Sequence, residues 1–214
     1  GRDKPGHDKT RLVRFVVATA ASLLAVAVLI GVGWVSALGP APLGQRLDTS
    51  HVVLDREGRL LRAYATPEGR WRLPAKPEEV DPRFLKLLFA YEDRRFYAHH
   101  GVDPVAMGRA AIQLIKQRRI VSGASTLSMQ VARLLEPREH RSFGFKLRQV
   151  VRAFELEYYL SKTDILTLYL TLAPYGGNLE GVRAASLAYF GKEPRWLSLG
   201  EAALLVALPQ SPEF

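Results

Sequence analysis

Residues 90–101 read AYEDRRFYAHHG: a Glu-Asp pair beside two arginines, then aromatic residues, then two histidines closed by a glycine. Carboxylates and cations packed this densely are poor core material, because an unpaired buried charge is costly. They suit a cleft that moves a proton next to an anionic substrate. They equally suit a solvated helix face with local ion pairs, so the flanking sequence has to decide. Upstream, Asp81-Pro82 pairs an N-cap residue with proline at the first helical position. Phe84, Leu85, Leu87, Leu88 and Tyr91 then supply an apolar stripe. Glu92 and Asp93 therefore fall near the end of a helix whose other face is buried.

Downstream the pattern stays helical. Asp103-Pro104 repeats the cap-and-proline signal and opens an amphipathic helix over 105–119, ending in Lys116, Arg118 and Arg119. Ser122-Gly123-Ala124 predicts a turn, with Ser125 or Thr126 capping the next helix. Free N–H groups and hydroxyls at such a terminus make an anion site, although an ordinary capped helix has the same sequence. Residues 143–160 form a helix with Lys146, Arg148 and Arg152 early and Glu155 and Glu157 late. That order opposes the helix dipole, a mild penalty that is tolerable if the cations hold an anion. Ser161 and Asp164 have capping-box spacing, residues 174–178 are a turn, and 181–190 and 198–208 are two closing helices. The domain is expected to be mainly α, preceded by a small β-hairpin region. There, residues 51–64 form two short apolar runs around Arg56-Glu57-Gly58, and Trp71-Arg72-Leu73 is a candidate third strand.

Nearer the N-terminus, residues 15–38 carry no charge, which is long enough to cross a hydrocarbon core of about 30 Å. Arg2, Lys4, Lys9, Arg11 and Arg14 precede this stretch, and the first basic residue after it is Arg46. The positive-inside bias then leaves the N-terminus in the cytoplasm and exports the body. Val35-Ser36-Ala37 resembles a signal-peptide cleavage site, but signal h-regions run only about 7–15 residues, so an uncleaved anchor is expected. The parts are thus a cytoplasmic basic tail (1–14), a transmembrane anchor (15–38), a linker and hairpin region (39–80) and a helical domain (81–214).

With 214 residues, the chain is long enough for one ordinary domain plus appendages. Having no cysteine, it lacks a thiol nucleophile, a disulfide framework and a thiolate metal site. A net charge of +9 points to an anionic partner. No Ser-His-Asp spacing, zinc-ligand cluster, Walker loop or dinucleotide fingerprint appears. The first residue is not Met and the last is Phe214, which we read as a fragment or a truncated gene product.

The motifs follow one another in an order that resembles glycosyltransferase family 51, the peptidoglycan glycosyltransferases. They are EDRRFYAHHG at 92–101, GASTLSMQ at 123–130 and SKTDILTLYL at 161–170, with GVRAASLAYFGK at 181–192 and LGEAALLVALPQSP at 199–212. Members occur alone or as N-terminal modules of class A penicillin-binding proteins. FKLRQ at 145–149 looks most like the 1C branch of that family, in which a C-terminal transpeptidase domain would follow.

The resemblance implies a lysozyme-like helical glycosyltransferase domain on the outer face of the bacterial cytoplasmic (inner) membrane. Such enzymes polymerise lipid II into β-1,4-linked glycan strands by inverting displacement of undecaprenyl pyrophosphate. It implies Glu92 as catalytic base and Asp93 as the second, supporting acid. Phe96 and His99 would shape the cleft, and Thr126, Gln130 and Arg133 would bind the donor. Lys146 would lie near the pyrophosphate, and a divalent cation, Mg²⁺, would help neutralise that leaving group. Expected partners are lipid II, the growing glycan strand, the membrane and other cell-wall synthesis proteins, with no nucleic acid. One position departs from the family pattern: Gln149 stands where a glutamate is usual, with Arg148 as a substitute source of positive charge. A lysozyme-like glycan hydrolase and a non-catalytic cell-wall scaffold are the alternatives.

Overall fold

The computed structural model describes residues 6–117, 125–137 and 143–210, in two units that divide after Pro40. The first unit is helix α1, Gly6–Ser36, 31 residues long. Its span Leu12–Ser36 is long and apolar enough to cross a membrane, and none of its apolar window is buried. A helix that is apolar all round is favoured in a protein core or a membrane and not in water.

The second unit opens with an antiparallel hairpin of β1, His51–Leu54, and β2, Leu60–Tyr64, pairing His51 with Tyr64. Asp55 closes the turn by accepting the N–H groups of Glu57 and Arg59, and Gly58 adopts φ 78°, a conformation that favours glycine. The third strand, β3 (Trp71–Arg72), exists but does not extend this hairpin. It pairs in parallel with β4, Leu179–Glu180, far along the chain. Arg72 fixes the pairing: its Nε lies 2.6 Å from Glu180 Oε2 in a largely buried ion pair, and its N–H donates to Ser50 Oγ at 2.9 Å.

The body is mainly α, as expected. It comprises α2 (Pro82–Tyr91), α3 (Pro104–Gln117), α4 (Leu127–Leu135), α5 (Phe143–Tyr159), α6 (Lys162–Leu172), α7 (Val182–Phe190) and α8 (Leu199–Ala207). Each well-defined start has its local cause. Asp81 accepts the N–H of Arg83, Thr126 that of Met129, and Ser161 and Ser198 form capping boxes with Asp164 and Glu201. Each such cap stabilises its helix by about 1 kcal/mol. Phe84 and Leu88 of α2, Leu127 and Val131 of α4, Leu156 of α5, Ile165 and Tyr169 of α6 and Leu205 of α8 share one buried core. Gly101 lets the chain pass against α5: at φ 84°, a Cβ there would lie 2.8 Å from the carbonyl carbon and oxygen of Ala153. The predicted turn at Ser122-Gly123-Ala124 and the basic pair Arg118-Arg119 lie outside the described residues.

Candidate active site

Glu92 caps the C-terminus of α2, its N–H donating to Leu88 O at 2.8 Å. The side chain stays partly exposed and accepts a 2.8 Å hydrogen bond from Gln130 Nε2 of α4. Its neighbour has a different fate. Asp93 is 6% exposed, both its oxygens lie 3.0 Å from His99 Nε2, and Oδ2 accepts the N–H of Leu127 at 3.0 Å. Leu127 is the first residue of α4, so a carboxylate there also meets the positive end of the helix dipole. Two adjacent acids are thus divided by environment: one is buried within the fold's own hydrogen bonds, and the other stays partly exposed.

Behind this pair the loop is packed tightly. Phe96, in a 3₁₀ turn, is 1% exposed and stacks on Phe89 with ring centroids 5.7 Å apart. Lys162 Nζ sits 4.4 Å above the Phe96 ring and donates to His99 O at 2.7 Å. Phe96 and His99 are therefore part of the packed interior and present almost no surface to a ligand. Lys162 also pairs with Glu157 at 2.6 Å, and Glu157 accepts from Ser128 Oγ. This Ser128–Glu157–Lys162 chain joins α4, α5 and α6 behind the loop. Sequence reasoning passed over it, although SK at 161–162 carries the signal.

Thr126 is buried; its hydroxyl accepts from Met129 N–H and donates to Gly101 O. That atom ties the end of the Glu92 loop to the cap of α4. Arg133, one turn beyond Gln130 on α4 and so on the same face, is exposed. Lys146, near the start of α5, reaches Ser125 Oγ at 3.4 Å. Although the residue as a whole is exposed, desolvation of its ammonium end and the charge of Arg133 hold Lys146 below the ordinary lysine range. Lys146 thus lies by the Ser125 hydroxyl just ahead of the α4 N-terminus, and Arg133 lies in the last turn of that helix; cations and a hydroxyl of this kind suit an anion.

Arg148 is differently placed. It meets Glu136 through two hydrogen bonds, at 2.7 and 3.1 Å, and Arg152, almost fully buried, meets the same carboxylate at 3.0 Å and Glu155 at 2.7 Å. Burial acts to raise the Glu136 carboxyl, but the two guanidinium groups outweigh it and hold the group below its usual range. The positive charge of Arg148 is already neutralised inside a clamp between α4 and α5, so it is poorly placed to make up for the departure at Gln149, which is itself buried. Among the described residues, no three His, Asp or Glu side chains converge as a metal cage requires.

A family model described as Transglycosylase matches residues 57–214. The chain is 50% identical over 175 residues to penicillin-binding protein 1C of Escherichia coli K12, covering 82% of this chain and 22% of that protein. It is 39% identical over 160 residues to penicillin-binding protein 1A of Aquifex aeolicus, covering 75% of this chain and 22% of that one. Penicillin-binding protein 1F of Bacillus subtilis is 33% identical over 166 residues, with coverages of 78% and 23%. The chain thus spans about a fifth of the length of these relatives. From the hairpin through the helical body, it belongs to the transglycosylase family.

Proposed function

We propose that this chain is a membrane-anchored peptidoglycan glycosyltransferase that polymerises lipid II into β-1,4-linked glycan strands. The observation that carries the reading is the partly exposed carboxylate of Glu92, held by Gln130, with Arg133 one helical turn further along α4 and Lys146 under the charge of that arginine. Glu92 takes the proton from the 4-hydroxyl of the incoming GlcNAc as its oxygen attacks the anomeric carbon of the donor. The bond to the pyrophosphate breaks on the opposite face, so the α-linked donor becomes a β-glycoside. The electron pair leaves with the pyrophosphate, whose charge Arg133 and Lys146 meet. Asp93 and His99 hold the loop and stay out of the proton transfer.

The described residues offer no preformed cage for Mg²⁺, and no step above passes through it. Mg²⁺ commonly keeps phosphate oxygens and waters as most of its ligands, so the substrate's pyrophosphate would be its main holder here. Leu12–Ser36 serves as the anchor, and the basic residues ahead of it favour a body on the extracytoplasmic side, where the growing strand and other cell-wall synthesis proteins are its partners.

The test is incubation of the purified chain with labelled lipid II, followed by sizing of the products. The parent chain should yield polymer, and Glu92→Gln should lose about 10²–10⁴-fold of the rate with its fold and membrane insertion intact. Polymerisation by Glu92→Gln at the parent rate would remove Glu92 as base. Shortening of preformed glycan by the parent would favour hydrolysis.

A further inference from the structure

Lys162 is placed against the local preference of its helix. It is the first residue of α6, where a cation opposes the helix dipole, and its side chain is mostly buried. Nζ lies 2.6 Å from Glu157 Oε1, donates to His99 O at 2.7 Å and sits 4.4 Å above the Phe96 ring. A compact ammonium group with three N–H donors suits three neighbours of this kind. Glu157, buried more deeply still, also accepts from Ser128 Oγ of α4. From the other side, both oxygens of Asp93 lie 3.0 Å from His99 Nε2, and Oδ2 accepts the N–H of Leu127 at 3.0 Å. The loop that follows Glu92 is thereby closed into a circuit. It leaves α4 at Leu127, runs through Asp93 and His99, crosses to Lys162 and Glu157, and returns to α4 at Ser128, the next residue. Gln130, two residues further along α4, holds Glu92 at 2.8 Å.

Stability alone is a weak reason for a buried Lys-Glu pair, because apolar residues of similar volume often match or exceed it. Apolar residues would not hold the His99 carbonyl. Asp93 fixes the side chain of His99, and Lys162 fixes its backbone, so the loop is gripped at one residue from two elements. We propose that Lys162 is a positioning residue for Glu92: seated on Glu157, its ammonium group holds the His99 carbonyl and the Phe96 ring, and so keeps the Glu92 loop in register with the helix that carries Gln130. Loss of that hold lets the carboxylate drift relative to the acceptor hydroxyl, and a displacement of about 1 Å is enough to cost about 100-fold in rate. The inference rests on Glu92 being the base.

The experiment compares Lys162→Met, the double variant Lys162→Met/Glu157→Gln and Glu92→Gln in the full chain. Thermal unfolding is measured on each, and kcat and KM for labelled lipid II are measured well below the melt. Lys162→Met should melt below the parent, because Glu157 is left buried without its cation. The double variant leaves no charge unpaired there, and the introduced amide can still accept from Ser128 Oγ. Its melting temperature should return to within about 4 °C of the parent. In both variants kcat should nevertheless stay about 10–100-fold below the parent, with KM within about threefold. The proposal is overturned by a double variant with parental kcat while Glu92→Gln is inactive. It is equally overturned if kcat follows the melting temperature from one variant to the other, or if the loss appears in KM alone. An active Glu92→Gln would instead overturn the assignment of the base on which the inference stands.

Discussion

Replacing Asp93 with asparagine separates scaffold from chemistry at the Glu-Asp pair. The Asp93 carboxylate accepts from His99 Nε2, 3.0 Å from both oxygens, and from the Leu127 N–H at 3.0 Å. Asn keeps the shape but loses the charge and turns an NH₂ group toward a donor, so one of these partners is left facing a donor in a buried site. Hydrogen bonds to a charged group are worth about 1.5–3 kcal/mol each, and a buried group left without its partner costs about 1–3 kcal/mol more. We therefore expect Asp93→Asn to lose about 3–5 kcal/mol, a large share of the roughly 5–15 kcal/mol available to a domain. At about 2–4 °C per kcal/mol for a unit of this size, the melting temperature should fall by about 6–20 °C. Circular dichroism melts and urea unfolding in detergent measure the loss, and lipid II polymerisation well below the melt measures what chemistry survives. If Asp93 serves the fold, the cold activity of the variant stays within about tenfold of the parent, far above the loss expected on removing a base. A variant that melts within about 2 °C of the parent, yet is as inactive as Glu92→Gln, would refute the reasoning and put Asp93 on the reacting atoms.

Four further outcomes rest on local geometry. Gly101→Ala combines φ 84° with a Cβ 2.8 Å from the Ala153 carbonyl and should destabilise by about 2–5 kcal/mol in urea unfolding. Gly108→Ala on α3, where a Cβ meets nothing within 4 Å, should instead stabilise by about 1 kcal/mol. Asp81, held by its hydrogen bond to Arg83 at about 2 against an ordinary 3.8, contributes stability that is complete above 3.8 and lost as pH falls through about 2. Asp81→Asn should flatten that acid limb by about 1–2 kcal/mol, the exposed arginine reducing the full value. Because Lys146 sits below the ordinary lysine range, its charge is lost earlier as pH rises. Inorganic pyrophosphate should therefore inhibit polymerisation less at alkaline pH and at high salt, and Lys146→Gln should abolish the alkaline dependence and weaken the one on salt, Arg133 staying charged.

What was legible in the sequence was chiefly what short spacing encodes. The caps at Asp81, Thr126 and Ser161 act over two or three residues, and all three are seen. The amphipathic stripe of α2 buries Phe84 and Leu88 and leaves Glu92 at its end, as its period requires. Pairing over long separations was not legible. Nothing local to Trp71-Arg72 says that the partner is Leu179-Glu180 and not the neighbouring hairpin. The same limit applied to charge. Lys146 and Arg148 differ little as letters, yet the fold turns one toward Arg133 and clamps the other to Glu136.

That division bears on the one departure from the family pattern. The arginines of α5 nearest to Gln149 in sequence, Arg148 and Arg152, are matched by Glu136 and Glu155. A glutamate at 149 would be a further buried acid, and burying a charge is costly unless it is paired. Glutamine can keep the hydrogen-bonding capacity of the position without that cost. Lys146 lies by Ser125, just ahead of the α4 N-terminus, and feels the charge of Arg133 in the last turn of that helix. Neither the proposed base at Glu92 nor the proposed anion site at Lys146 draws on a charge at position 149; that proposal rests on α2 and α4, with α5 contributing one lysine and a clamp.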